Sequence, residues 1–541
     1  MPKKSQPKPI YIQKSAVAPE KTVTTERVKK GILGLALAAS LTALLMDTNV
    51  FKGAGVWGAA QSLAGLFCIV SLPLYILYRD IRRYKKKITT DLQKLLLICV
   101  ILVGTVGLSR LSMEMFSTFT DNLQGVGART GYFAIPIAAG SMLATLLFDI
   151  HIGIVCSFIT SVFAGILVGG ESLFFIYSFV GSMIAAFSVV RCTQRSALLK
   201  AGLFVSLANM ATVAVIDLYK HSLFTSTGVY DIVAGSIGGI LTAVLVSGML
   251  PLLESVFKVV TDISLLEYSD LNRPLLKSLM VSSPGTYHHS IVIGSLAEAA
   301  AESVGVNPLM ARVAAYYHDI GKIKKPEYFI ENQAKGENRH DRLTPSMSCL
   351  IIASHVKDGL DLAREYKLPP QISDIIQQHH GSSLMSYFYE KAKAASEDPT
   401  QVREEEFRYP GPKPQTKVAA IVMLSDAVEA ASRVLDNPTP QRIAALVDKI
   451  IARFFEDGQL SECDLTLRDL TEISRSLNVL LAGIYHYRID YPGMGIPSGG
   501  EKRKLGGTAH KHAEEGKGPG WASEEGGPKG AHFSKLGRRG A

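Results

Sequence analysis

Histidine and aspartate stand side by side at His318 and Asp319, within AAYYHDIGKIKKPEYF, where an apolar helical run would otherwise place core residues. They are not isolated. Of the 13 histidines in the chain, seven lie between positions 288 and 380. In PPQISDIIQQHHG the series Ile372, Ile375, Ile376, His379 follows i, i+3, i+4, i+7, so His379 continues an apolar face and His380 sits at its edge. His355 extends the line of Met347 and Ile351, and Asp426 continues Val418 and Val422. An unpaired carboxylate on a core stripe costs on the order of several kcal/mol, so it needs a compensating cation. The nearest arginine on that face, Arg433, lies two turns further on, roughly 10 Å along the axis, and is a poor partner.

A metal ion meets the requirement. Neighbouring helical residues point about 100° apart, so His318 and Asp319 can face two adjacent points, and an aspartate with two oxygens can bridge two cations. His289, His318, Asp319 and Asp426 would supply one divalent ion; Asp319, His355, His379 and His380 would supply a second. Mixed imidazole and carboxylate ligation suits manganese or iron better than magnesium, with zinc left open. Other histidines read more simply. His288 faces away from its neighbour, His340 and Asp341 lie in a charged loop expected to be solvated, and His151, His221 and His486 have no partner at ligand spacing.

The elements that must position these groups are helices. From about 255 to 496 charged residues are interleaved at helical spacing, and no alternating apolar run argues for a sheet. Asn307-Pro308 and Thr344-Pro345 each place a capping side chain before a proline at the first helical position, and Pro370 opens another helix. Gly305, Gly321 and Gly381 stand where helices would stop. The expected class is all-α throughout.

Upstream, a hydrophobic fraction of 47% signals a membrane portion. Apolar stretches run over 31–46, 58–78, 95–113, 131–148, 152–169, 172–190, 198–216 and 232–252, several near the ~20 residues a helix needs to cross a bilayer. That makes eight crossings, or seven if two weaker ones merge. The basic loops YRDIRRYKKKITTD and RCTQRS, together with the start of the chain, belong in the cytoplasm by the positive-inside rule, and an even count returns everything after 256 there. ALAAS resembles a signal-peptide cleavage site, but the charged leader is too long and further spans follow. The expected division is a polar cytoplasmic N-terminus over 1–30, a membrane domain over 31–254, a cytoplasmic catalytic domain over 255–496 and a disordered glycine-rich basic tail over 497–541, where His510 and His512 are solvated. The net charge of +9 sits beside apolar segments and in that tail, which fits a membrane surface rather than a DNA or RNA duplex. Six scattered cysteines without a CxxC pair form no disulfide framework or thiolate metal site.

TYHHS, HDIGK, SHVKDG, QQHHG and VMLSDAVEAASR, in that order, resemble the motifs of the HD-domain phosphohydrolase superfamily, and specifically of its seven-transmembrane receptor HD-hydrolase family. The likeness continues through FRYPGPKPQTK and DGQLSECDLTLRDL. It implies that His289, His318, Asp319, His355, His379, His380 and Asp426 are ligands of a two-metal site, loaded with Mn2+ or Fe2+, that activates a water to hydrolyse cyclic di-AMP to 5′-pApA. In that mechanism Asp319 is catalytic as the bridge, and Lys322 neutralises charge developing on the phosphoryl oxygens. Implied partners are a cyclic dinucleotide and the lipid bilayer of a bacterial cell membrane; a homodimer is allowed but not indicated. Two alternatives stay open: another nucleotide substrate, such as cyclic di-GMP or a guanosine polyphosphate, and a non-catalytic nucleotide receptor. A GYP motif would mark the cyclic di-GMP subgroup after the paired histidines, and HHGSSLMSYFYEKA stands there instead. Family members usually carry a large extracytoplasmic domain after the first membrane helix, whereas only 47–61 separates the first two apolar segments here, so the usual external sensor is expected to be missing.

Overall fold

The computed structural model describes residues 20–46, 55–120, 126, 129–190, 192–333 and 338–485. The tail over 497–541, most of the polar N-terminus and the segment 47–54 lie outside them, and with them the expectations placed there. Among the described residues the protein is helical, with a single isolated bridge between Leu384 and Arg408 and no strand.

The first half comprises α1 (Glu20–Leu45), α2 (Val56–Tyr84), the short α3 (Lys86–Thr90), α4 (Leu92–Thr120), α5 (Thr130–Phe133), α6 (Ala138–Leu147), α7 (Ile150–Leu167), α8 (Ser172–Ser188), α9 (Arg195–Tyr219) and α10 (Ser226–Phe257). Seven segments are long and apolar enough to cross a membrane, with α5 and α6 counted together; α8, also apolar, has 17 residues. Large apolar side chains such as Leu72 and Ile76 on α2, Leu203 and Phe204 on α9 and Ile240 and Val244 on α10 are exposed, which water would not tolerate over so wide an area. The protein is a multi-pass membrane protein. Small residues bring α9 and α10 together: a Cβ on Gly202 would stand 2.3 Å from the Ala243 Cβ, and one on Gly239 2.3 Å from the Ser206 Oγ.

One departure from expectation falls at 131–148. The segment is not a continuous helix but breaks between Phe133 and Ala138, because Pro136 lacks an N–H and disfavours helical geometry in the residue before it. The break is enclosed by the bundle, with Ile135 and Ile137 both 2% exposed.

The two ends of the bundle differ. At one, Lys85 pairs with Asp149 at 2.8 Å, Asp80 with His151 at 2.6 Å, and Arg195 with Glu267 at 2.6 Å. His151 therefore has a partner that spacing did not reveal, contributed by another helix. Both basic loops lie at this end, and so does the start of the C-terminal domain. At the other end, Arg110 donates to the Met46 carbonyl at 3.2 Å and Arg129 pairs with Glu171 at 2.5 Å.

The C-terminal domain follows through α11 (Asp262–Tyr268), α12 (Pro274–Ser282), α13 (Pro284–Ser303), α14 (Pro308–Tyr317), α15 (Pro345–Glu365), α16 (Pro370–Gln378), α17 (Ser386–Ala395), α18 (Lys417–Ser432), α19 (Pro440–Glu456) and α20 (Leu467–Ile484). Asn307 and Thr344 cap α14 and α15 through Met310 N at 2.9 Å and Met347 N at 3.3 Å, as their sequence context anticipates. Two apolar cores flank the centre of the domain. One gathers Ile293, Ile421, Val422, Ile473 and Leu477; the other gathers Leu276, Val313, Tyr317, Leu362 and Ile376. Helices α13, α14, α15, α16 and α18 converge between them.

Candidate metal centre

His318 and Asp319 do not sit inside a regular helix, as the apolar run suggested. α14 ends at Tyr317, His318 keeps helical dihedrals as its last cap, and the chain tightens into a 3-10 turn over Ile320–Lys324. Gly321 has a reason other than stopping the helix: a Cβ there would lie 1.8 Å from the His355 carbonyl oxygen and 2.5 Å from Gly359 N. The turn thus rests directly on the backbone of α15 at the residue that carries His355. Gly381 does serve as a stop, at φ +53°, just after the paired histidines that end α16.

All seven residues singled out in the sequence come together. Asp319 Oδ1 lies 3.3 Å from His355 Nε2 and 3.6 Å from His379 Nε2, while Oδ2 lies 3.2 Å from His318 Nε2 and 3.7 Å from His289 Nε2. Each oxygen therefore faces its own pair of imidazoles. Asp426 closes the other side, 3.0 Å from His289 Nε2, 3.9 Å from His318 Nε2 and 3.7 Å from His380 Nδ1. Ligand atoms of Asp319, His355, His379 and His380 lie within 4.8 Å of one another, as do those of His289, His318 and Asp319. His288, by contrast, is exposed.

The tautomers follow from the hydrogen bonds. Nδ1 of His318, His355 and His379 faces the carbonyl three residues back, Ala315, Ile352 and Ile376, at 2.7, 2.5 and 2.8 Å. A carbonyl only accepts, so each Nδ1 must carry a proton, and the neutral form of such a ring has its Nε2 lone pair facing inward. His355 Nε2 and His379 Nε2 then face each other at 3.3 Å beside a carboxylate. His318 Nε2 and Asp319 Oδ1 are buried without a hydrogen-bond partner. Lone pair against lone pair is repulsive unless a cation stands between them, so this donor set fits divalent metal.

The surrounding groups were harder to foresee. Glu429, one turn beyond Asp426, accepts from His289 Nδ1 at 2.6 Å and is itself held by Arg433 at 2.6 Å. Arg433 thus answers Glu429 and not Asp426. Lys322 sits between Asp319 at 2.7 Å and Glu331 at 2.8 Å, and Glu331 continues to the Thr286 hydroxyl at 2.9 Å. Tyr409 stacks on the His380 ring at 4.2 Å between centroids. Its segment is fastened over the paired-histidine turn by Arg408, which donates to the Ser382 carbonyl at 2.7 Å and pairs with Asp457 at 2.7 Å. His340 is not solvated as expected: it is 5% exposed, meets the Tyr328 carbonyl through Nε2 at 2.8 Å and packs edge-on against Phe388.

Charge follows geometry. Burial opposes ionisation of Asp319, but the Lys322 ammonium beside it holds its carboxyl well below the usual range. Burial likewise works against the Lys322 ammonium, yet Asp319, Glu331 and Asp426 raise it. Burial pushes His355 down to about 4, so its ring stays neutral at physiological pH. His289 is the exception: burial disfavours its cation, but Asp426 and Glu429 prevail and raise it to about 9. Below that pH the metal-free ring carries a second proton, on the nitrogen that faces Asp426, and an incoming cation must displace it. Metal affinity is therefore expected to rise about tenfold per pH unit from about pH 7 and to level off above about pH 9. Competition of Mn2+ between the protein and a chelating dye at constant ionic strength would measure this; a flat profile would remove His289 from the ligand set.

An all-helical domain that turns five imidazoles and two carboxylates onto one point, carried on a multi-pass bundle, defines the class of membrane-anchored HD-domain proteins with a metal centre. Comparison with known proteins agrees. Residues 60–261 match the model of the 7TM receptor with intracellular HD hydrolase, and residues 286–431 match the HD domain. The chain belongs to this receptor–hydrolase family. The first matched region holds seven apolar segments from α2 to α10, with α8 now included and α5 and α6 counted together, and α1 precedes it. Among curated relatives, the cyclic-di-AMP phosphodiesterase PgpH of Bacillus subtilis is 39% identical over 460 residues, covering 84% of this chain and 62% of that protein. The Listeria monocytogenes PgpH is 45% identical over 301 residues, covering 56% and 42%. The chain thus spans less than two thirds of either relative's length. A crystal structure of the L. monocytogenes PgpH HD domain in complex with cyclic-di-AMP is 49% identical, with a TM-score of 0.38, and covers 40% of this chain and all of that one.

Proposed function

We propose that this protein is a metal-dependent phosphodiesterase that opens cyclic di-AMP to 5′-pApA from the cytoplasmic side of a bacterial cell membrane, with membrane helices over 31–254 and the hydrolase domain over 255–496. The observation that carries the reading is the pair of inward-facing imidazole sets on the two oxygens of Asp319. The names and HD-domain complex of its PgpH relatives support the substrate.

In this reading His289, His318, Asp319 and Asp426 hold one divalent ion and Asp319, His355, His379 and His380 a second, Mn2+ or Fe2+ suiting the mixed donors. Such cations supply Lewis-acid charge for a phosphodiester and lower the pKa of water. The chain does the rest. Backbone carbonyls behind His318, His355 and His379 fix their rings, and Glu429 fixes His289. Lys322 keeps Asp319 ionised and adds positive charge near the transferred phosphate. The ammonium groups of Lys324 and Lys325 draw an anionic substrate toward the rim.

The purified full chain in lipid nanodiscs should convert cyclic di-AMP to 5′-pApA with Mn2+ present and lose that activity to a chelator. Chromatography of the products resolves it. Turnover of cyclic di-GMP at an equal rate would replace the substrate, and no turnover of any cyclic dinucleotide with metal bound would leave a receptor.

A further inference from the structure

At the bundle end remote from the metal centre lies a cavity of about 310 Å³, walled by α5, the start of α8 and the facing ends of α9 and α10. Two aspartates line it from different helices. Asp217 on α9 is 2% exposed and Asp231 on α10 is 6% exposed. Among the described residues, Asp217 Oδ2 and Asp231 Oδ1 are buried with no hydrogen-bond partner. The other oxygen of Asp217 accepts from the Ser222 hydroxyl at 3.0 Å. The third acid of the cavity, Glu171, is already neutralised by Arg129 at 2.5 Å. Among the described residues, Lys220, exposed at the mouth, is the remaining cation of the lining, so their enclosed wall keeps a net negative charge.

Carboxylate oxygens shielded from water and left without donors are costly, and two opening on one space mark where positive charge is received. The dimensions narrow the ligand. A bare ion or a water fills roughly 30 Å³, whereas pockets for small organic molecules begin at about 300 Å³. Phe133 and Phe174 line the same cavity and supply an apolar wall on which a cation and its hydrocarbon body can rest.

We propose that this cavity binds a small organic ammonium compound, its charge held by Asp217 and Asp231 and its body against the aromatic wall. The occupant would lie at one end of α10, whose 32 residues run without interruption to the junction with the hydrolase domain.

The test is thermal unfolding of the full chain in nanodiscs of fixed lipid composition, titrated with methylammonium, phenethylammonium, tyramine and agmatine, and with 3-phenylpropionate, sodium and magnesium as controls. At least one ammonium probe should raise the midpoint saturably, and 3-phenylpropionate should not. Asp217→Asn and Asp231→Asn keep the side-chain shape, and with size-exclusion profile and helicity unchanged each should weaken the half-saturating concentration by about tenfold or more. Absence of a saturable rise with all four probes would overturn the proposal. So would an equal rise in the two variants, or a rise reproduced by sodium or magnesium alone, which would mark an inorganic cation site.

Discussion

Asp319→Asn is expected to empty the metal centre and to lower phosphodiester hydrolysis by well over the about hundredfold that loss of a supporting partner costs. The two oxygens of Asp319 face different pairs of imidazoles, so one substitution touches the inward Nε2 of His289, His318, His355 and His379 alike. Asparagine keeps the volume and can still accept from Lys322. Its amide, however, donates to the Nε2 lone pairs that otherwise lack a donor, so the repulsion that a cation relieves is relieved without one. The fold should survive, because the Nδ1 anchors to the backbone are untouched. Elemental analysis of the variant alongside its turnover of cyclic di-AMP decides the matter. Retention of a full metal complement with intact helicity would show that Asp319 is not shared between two ions.

Much of this centre could be seen in the sequence because polar residues were placed where periodicity demands apolar ones. His355, His379 and Asp426 each extend an apolar helical line, and no soluble surface explains that. Spacing alone has a limit at Met347: it lies on the His355 line, yet it is 48% exposed near the start of α15. Glu429 is not distinctive in the sequence, because a glutamate four residues before an arginine on a helix reads as solvated surface. Its position three residues after Asp426 was the available clue, since i and i+3 share a face. Glu331 and Tyr409 come from irregular segments, where spacing carries no directional information. The direction of each imidazole was also hidden, because it depends on a carbonyl of the same turn and not on side-chain identity.

In the membrane half, hydropathy located every apolar segment to within several residues but was silent about continuity. Pro136 was the one local signal for the break after Phe133. The far-end cavity was not legible at all, because Asp217 and Asp231 look like ordinary ends of two apolar stretches until α9 and α10 are brought side by side.

Gly321→Ala should be among the most damaging single-methyl changes in the C-terminal domain. Alanine is conformationally acceptable there, since the position does not require a positive φ, so the effect must come from contact. The added carbon would stand 1.8 Å from the His355 carbonyl oxygen and 2.5 Å from Gly359 N, and both obstacles are backbone of α15. A flexible side chain could swing away, but a helix backbone moves only as a whole. Overpacking of this kind commonly costs about 1–3 kcal/mol, and the rigid obstacle places this substitution at or above the upper end. The separation needed would carry His355 away from Asp319, whose Oδ1 lies 3.3 Å from its Nε2, so metal affinity should fall together with stability. Gly305→Ala is the control: no atom lies within 4 Å of its Cβ position, and its φ of +66° confines the penalty to local strain, leaving the metal centre alone. Chemical denaturation and metal titration of both variants separate the two effects. Should Gly321→Ala bind Mn2+ with unchanged affinity, the 3-10 turn and α15 would not be locked together, and the close approach at residue 321 would not be what sets the geometry of the centre.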